Sequence, residues 1–275
     1  MDPRLQLRVQ RYGWDAAADY YNDGWEAQLR PAHDQLLQSA RLTKGQKVIE
    51  TACGSGLVTM RIAKEVGSAG KVHATDLSQG MIDKLRAWLD AVSSKNVKAE
   101  RMAAEKLSVP DSVYDAAICA LGLMYTPDPT MAVSEMARVV RPRGTVAATV
   151  WGERKNCGWA DVFPIVDARV ASEVCPMFFG TGVPGALKRL FENAGLQKIG
   201  EHRHFETLFF EDEEDVVDAA LMGGPVALAV KRFSDDVWAD VVNEFLESVA
   251  TYRQRDGSYS IPGEFVTVSG VRPVE

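Results

Sequence analysis

Cysteine is scarce in this 275-residue chain, positive charge is in deficit, and long apolar runs are missing. The four cysteines, Cys53, Cys119, Cys157 and Cys175, form no C-x-x-C pair and have no zinc-type spacing to a histidine. Free thiols in a reducing compartment are therefore expected, and no metal centre. No apolar stretch reaches the roughly 18 residues needed to span a bilayer. The opening MDPRLQLRVQRYGWD has no apolar core followed by a small-residue cleavage site, so no signal peptide is expected and the location is read as cytoplasmic. A net charge of −7 gives no general basic field, which argues against a nucleic-acid partner. With 46% hydrophobic residues and 25% charged, the chain has the composition of a globular protein that buries its own core.

What is present is an alternation. The segments 46–51, 71–76, 96–102, 114–123 and 145–151 are short and rich in β-branched or small apolar residues. Between them lie segments of helical period, such as 77–92, where Ile82, Leu85, Leu89 and Val92 recur on one face. RPRG, residues 141–144, reads as a turn before the fifth strand. Strands alternating with helices predict an α/β, Rossmann-like open sheet, mostly parallel, with helices on both faces and ligands beyond the carboxyl ends of the strands. Four regions follow: a helical lid over 1–42, a cofactor-binding core over 43–151, a helical insert over 152–195, and a strand–helix–strand end over 196–275. The lid carries an aromatic group, Tyr12, Trp14, Tyr20, Tyr21 and Trp25.

The first strand runs into VIETACGSGLVTM, residues 48–60. A dinucleotide fingerprint needs a third glycine at position 59, which is Thr59, and a phosphate loop needs Lys-Ser or Lys-Thr, which does not follow. The strand instead carries Glu50, expected to face the cavity mouth, where a carboxylate repels a pyrophosphate and suits an ammonium or sulfonium. Asp76 ends the second strand, 20 residues beyond Gly56, where an acid accepts from both ribose hydroxyls; the alternative is a helix-capping role, which Ser78 can also fill. Together these predict a nucleoside with a cationic, phosphate-free tail.

The segments VIETACGSG, VHATDLSQGMI, AAEKLSVPDSVYDAAICALGLMYTPDP and MARVVRPRGTVAATVW resemble, in order and spacing, the class I S-adenosylmethionine-dependent methyltransferases. The likeness is to the branch of the ubiquinone/menaquinone C-methyltransferases and other small-molecule enzymes. The resemblance implies a seven-stranded sheet whose last strand is inserted antiparallel, with S-adenosyl-L-methionine as cofactor. It puts Glu50, Ala52, Cys53, Gly54, Ser55 and Gly56 around the methionine moiety and Asp76 on the ribose. Leu77 and Met81 would pack near the adenine, Ala104 and Glu105 fall in the adenine segment, and Ala120 and Leu121 lie beneath the cofactor. The family's usual acid at the position of Ala103 is absent, so the adenine amino group needs another partner.

Methyl transfer from a sulfonium is an in-line displacement that needs alignment and exclusion of water more than a catalytic triad. Tyr20, Tyr21 and Trp25 are expected either to cover the cofactor, as aromatic faces hold cations, or to pin the N-terminal helix to the sheet. If the acceptor must lose a proton, Tyr125 and His33 are the candidate bases, with His202 and His204 expected away from the mouth. The acceptor pocket is expected in the insert, among Trp159, Phe163, Met177, Phe178 and Phe179, for a hydrophobic or ring-bearing small molecule. A thiophilic acceptor methylated through Cys157 and Cys175 is a weaker alternative. So are an NAD-type oxidoreductase and a non-catalytic binder of the same cofactor. A homodimer is compatible with all of these.

Overall fold

A computed structural model describes residues 3–170 and 178–274. Seven strands form one sheet: β1 Lys47–Thr51, β2 Lys71–Asp76, β3 Val97–Arg101, β4 Tyr114–Ala120, β5 Val140–Trp151, β6 Gln197–Phe210 and β7 Tyr259–Val271. Their spatial order is β3-β2-β1-β4-β5-β7-β6. The first five pair in parallel, and β7 inserts antiparallel between β5 and β6. The order reverses between β1 and β4, the switch point at which ligands sit in such sheets.

The helices are α1 Pro3–Ala17, α2 Tyr21–Ala40, α3 Thr59–Val66, α4 Gln79–Ala91, α5 Pro129–Val139, α6 Val162–Asp167, α7 Ala186–Asn193, α8 Glu213–Val217, α9 Ala227–Val230 and α10 Asp235–Val249. Strand residues alternate between two layers, as the period of two requires. Val48, Ala116, Ile118 and Ala147 pack with Leu36 of α2 and Ile62 of α3 on one face. Ile49, Ala117, Val146 and Ala148 belong to the cluster that includes Val133 and Met136 of α5. Helix starts carry their own caps: Ser78 accepts from Met81 N, and Asp128 accepts from Met131 N with Pro129 in the first turn.

Two boundaries differ from the sequence reading. The helical region expected over 1–42 is two helices, with α1 ending at Ala17 and α2 starting at Tyr21. The RPRG turn lies inside β5, where Arg143 takes a left-handed φ of 68° and its N–H donates to Arg272 O. Pairing with β4 shifts register there, so the strand bends and continues. Helix α3 begins at Thr59, which leaves residues 52–58 as a loop of turns. Of the insert, α6, α7 and two 3₁₀ turns are described; Cys175 and Met177 lie outside the described residues. No described helix is long and apolar enough to cross a membrane.

Candidate active site

At the switch point the chain leaves β1 and β4 in strained turns. Ala52 and Leu121 have left-handed φ values of 52° and 55°, conformations that L residues hold only where surrounding packing fixes them. Gly122 sits between them so tightly that an added Cβ would overlap Ala52 Cβ. The two loops therefore touch, and a cavity opens above them.

Its wall is assembled from four strand ends and the N-terminal helices. Ala52 and Gly54 follow β1, Asp76 and Leu77 end β2, Met102, Ala104 and Glu105 follow β3, and Ala120, Leu121 and Gly122 leave β4. Met81 of α4, Tyr125, Thr126 and Pro127 complete the floor. Leu7, Gln10 and Trp14, one face of α1, close it together with Tyr21 of α2.

Helix α1 is fastened there by Asp15, whose Oδ1 accepts from Ser78 Oγ at 2.6 Å and from Gly80 N at 2.9 Å, beside the start of α4. Helix α2 is fastened by a short hydrogen bond from Ser55 Oγ to Asn22 Oδ1. The glycine loop and both N-terminal helices thus form one unit.

Asp76 is buried and ties the loop to α4: Oδ2 accepts from Gly54 N and Oδ1 from Ser78 N, each at 2.8 Å. Capping of α4 itself belongs to Ser78. Burial pushes the Asp76 carboxyl up to about 6 in spite of these amides. Glu50 departs from expectation: it does not open on the cavity mouth but is buried beneath the loop. Its Oε2 accepts from Thr59 Oγ1 at 2.5 Å, while Oε1 is buried without a partner. Burial raises Glu50 to about 8, and the neighbouring Asp76 adds to the shift. No salt bridge to either acid is found among the described residues, and burial holds both toward their protonated forms, so a cation bound at the loop would favour their ionisation.

Of the residues singled out in the sequence, Ala52, Gly54, Asp76, Leu77, Met81, Ala104, Glu105, Ala120, Leu121 and Tyr125 meet at this one cavity. Cys53, Ser55 and Gly56 do not line it. They shape the loop behind it, where Gly56 takes φ +103° against Leu85. Tyr20 is 38% exposed and also lies off the cavity. Trp25 is buried in the core with Trp151, Trp159 and Phe210, its Nε1 donating to Ala219 O. It therefore stands off this cavity, whereas Tyr21 lines it.

His33 lines none of the cavities described here, and burial lowers it to about 3, so it stays neutral. His202 lies in a groove at the far edge of the sheet. His204 is shut off there beside Phe265, with both ring nitrogens unpartnered. Cys157 is buried against β7, and burial pushes its thiol up to about 12.

A second, smaller cavity adjoins the first and shares Trp14, Tyr21, Leu121 and Tyr125 with it. Its far side is Trp25, Leu29, Met124, Trp151 and Trp159. Sequence reasoning placed Trp159 near an acceptor but missed Leu7, Gln10, Met102 and Gly122. The i, i+3, i+7 spacing of Leu7, Gln10 and Trp14 was the available signal for the α1 face.

Comparison with known proteins agrees with this architecture. Residues 48–144 match the methyltransferase domain family. The demethylmenaquinone methyltransferase of Listeria welshimeri is 29% identical over 129 residues, 47% of this chain and 55% of that protein. The ubiquinone/menaquinone biosynthesis C-methyltransferase UbiE of Burkholderia mallei is 34% identical over 131 residues, 46% of this chain and 53% of that protein. The chain thus spans about half the length of the curated relatives it matches. Among solved structures, phosphoethanolamine N-methyltransferase 2 of Haemonchus contortus, in complex with phosphomonomethylethanolamine and S-adenosylhomocysteine, has the same fold. It superposes with a TM-score of 0.63 at 13% identity, covering 100% of this chain and 61% of that one.

Proposed function

We propose that this chain, by family a class I S-adenosylmethionine-dependent methyltransferase of the ubiquinone/menaquinone type, transfers a methyl group to a small, apolar, ring-bearing acceptor. The observation that carries the cofactor half is the pair of buried acids, Glu50 and Asp76, with one carboxyl oxygen orphaned beneath a loop that has no phosphate-binding glycine pattern. A cationic nucleoside favours the ionised form of these acids, whereas a pyrophosphate opposes it. When bound, the cofactor supplies a methyl group activated on a sulfonium.

The chain's own residues then do three things. Ala52 and Gly54 present the glycine loop to the amino-acid tail, with Glu50 acting on it through the loop from below, and Asp76 offers its remaining lone pairs to the ribose. Tyr21 and Trp14, whose rings meet edge to face at 5.7 Å, offer aromatic faces to the charged end. Helix α1, pinned by Asp15, keeps water out.

The acceptor half rests on the second cavity, because its shared wall brings an acceptor up to the same Tyr21 and Tyr125 that border the first. Its tryptophan-lined far side suits a flat apolar ring. Burial beside Asp76 and Glu50 raises the Tyr21 phenol, so it serves as a neutral donor and not as a base. Tyr125 is the phenol at the junction of the cavities and, as the phenolate, would be the candidate to take a proton from an acceptor.

Calorimetry with S-adenosylhomocysteine tests the cofactor half. Wild type should bind, and Asp76→Ala should bind at least about tenfold more weakly, as loss of a hydrogen bond to a charged group implies. Undiminished binding by the variant would sink the ribose assignment. Labelled-methyl transfer into a panel of ring-bearing and aliphatic acceptors tests the other half, and labelling confined to aliphatic amines would refute it.

A further inference from the structure

We infer that the groove beside His202 binds the phosphate group of a small phosphorylated molecule, at a site separate from that of methyl transfer. The groove has a volume of about 650 Å³ and lies where the end of α2 meets β5, β7 and β6. It shares no residue with either cavity described above. Its floor is the sheet itself: Thr145 of β5, Ser269 of β7 and Gly200 of β6, the last two paired in register. A Cβ added at Gly200 would meet nothing nearer than Ser269 Oγ at 4.0 Å, so the floor is open. Arg41 comes to the groove from the helix and Lys198 from the sheet edge. The chain has 38 acidic residues against 31 basic ones, yet no described acidic side chain lines this groove.

Both cations stand where the backbone favours glycine. Arg41 closes α2 in the left-handed region, with φ 51° and its N–H donating to Leu37 O, a helix-end position that glycine fills without strain. Lys198 has the same φ of 51° where β6 carries one extra residue against β7, between Gln197 and Gly200; glycine is again the residue that suits such a bulge. Two pieces of backbone far apart in the sequence thus each hold a long cation in a conformation that costs an L residue free energy. Glycine would serve the fold better at both, so it is the side chains that these positions keep. Neither side chain forms an ion pair or hydrogen bond among the described residues. Together they present a guanidinium fork and an ammonium with no acid to neutralise them, and the Thr145 and Ser269 hydroxyls and the His202 imidazole add hydrogen-bonding groups. A phosphate ester brings two negative charges and three acceptor oxygens, which match that set of donors.

The test is calorimetric titration of wild type, Arg41→Gly and Lys198→Gly with glycerol 3-phosphate and with glycerol, at low and high salt, alongside thermal unfolding of each protein. Wild type should bind glycerol 3-phosphate and not glycerol, more weakly as salt is added. Each glycine variant should bind at least about tenfold more weakly, as loss of a hydrogen bond to a charged group implies. Its Tm should stay level or rise, because the left-handed residue is relieved of its strain. Turns with no ligand would show the same Tm behaviour with no change in binding. Failure of wild type to bind glycerol 3-phosphate overturns the inference, and so does undiminished binding by a folded glycine variant. Should a glycine variant not fold, Arg41→Gln or Lys198→Gln takes its place with the same expectation for binding. Vesicles of phosphatidylcholine with phosphatidate separate a lipid headgroup from a free ester: capture of wild type on them without binding of glycerol 3-phosphate overturns the assignment to a small molecule. The groove shares nothing with the cofactor cavity, so the result stands whichever way the cofactor reading falls.

Discussion

Glu50 decides how the glycine loop works. It is buried, its Oε1 lacks a partner, and burial holds its carboxyl near 8. A buried charge without a partner costs folding free energy, which the ligand-free protein avoids by keeping the proton. Glu50→Gln removes that liability at constant volume and keeps an oxygen for the Thr59 hydroxyl. The expected outcome is a split: the ligand-free variant is as stable as wild type or more stable at alkaline pH, yet binds S-adenosylhomocysteine more weakly, since the negative charge beneath the loop is lost. Denaturant melts and calorimetry on one preparation check it. A variant that loses stability and keeps its affinity would make Glu50 a structural residue only.

At the scale of elements, α1 is held over the cavity by a small number of groups. Asp15 accepts from Ser78 Oγ and Gly80 N, and Leu7, Gln10 and Trp14 face inward. Asp15→Ala deprives α4 of part of its N-terminal satisfaction, a loss of about 1 kcal/mol by analogy with cap deletions. It should also loosen α1 more than the sheet. Hydrogen exchange should show α1 amides protected on ligand binding in wild type, with much of that protection gone in the variant, while β1 and β4 amides are unaffected. Uniform loss across the sheet would mean that α1 is core and not a cover.

The contrast between sheet and cover also explains what could be read from the sequence. The βαβ elements announce themselves by period, because each strand alternates under two helical layers and each helix carries an apolar stripe. The glycine loop was legible for the same local reason, since Glu50, Gly54, Gly56 and Asp76 have spacings that only a strand–turn–helix explains. The break between α1 and α2 was not legible, because residues 18–20 contain no glycine or proline and the break comes from tertiary docking at Ser55 and Ser78. Nor was the fate of Trp25 legible. Tyr20, Tyr21 and Trp25 look alike as a sequence cluster, but exposure, cavity wall and core are assigned by the helix rotation that puts Trp25 Nε1 on Ala219 O, 194 residues away. In the same way β5 runs through RPRG because Arg272 O, just past β7 at the far end of the chain, accepts from Arg143 N.

For the whole molecule, the two acids couple ligand binding to protons. Folded and ligand-free, Asp76 is raised to about 6 and Glu50 to about 8, both by burial, above ordinary values of 3.8 and 4.5. The folded state therefore holds more protons than the unfolded chain between about pH 4 and pH 8, and stability of the ligand-free protein falls as pH rises through that window. A cationic ligand favours the ionised carboxylates, so binding releases protons and should tighten as pH rises, by at most about tenfold per unit for each proton released. The increase should level off above about 8, where Glu50 is already ionised. Two measurements check this independently. Calorimetry in buffers of different ionisation enthalpy should count about one proton released at neutral pH, nearly all from Glu50 because Asp76 is already largely ionised there, so Glu50→Gln should abolish the release and Asp76→Asn should leave most of it. Thermal unfolding should show a ligand-induced rise in Tm that is larger at pH 8 than at pH 6, while the ligand-free Tm moves the other way. A ligand-induced shift that stays constant across that range would mean the acids keep their protons in the complex, and the cation would then have to be held by the aromatic faces of Trp14 and Tyr21 alone.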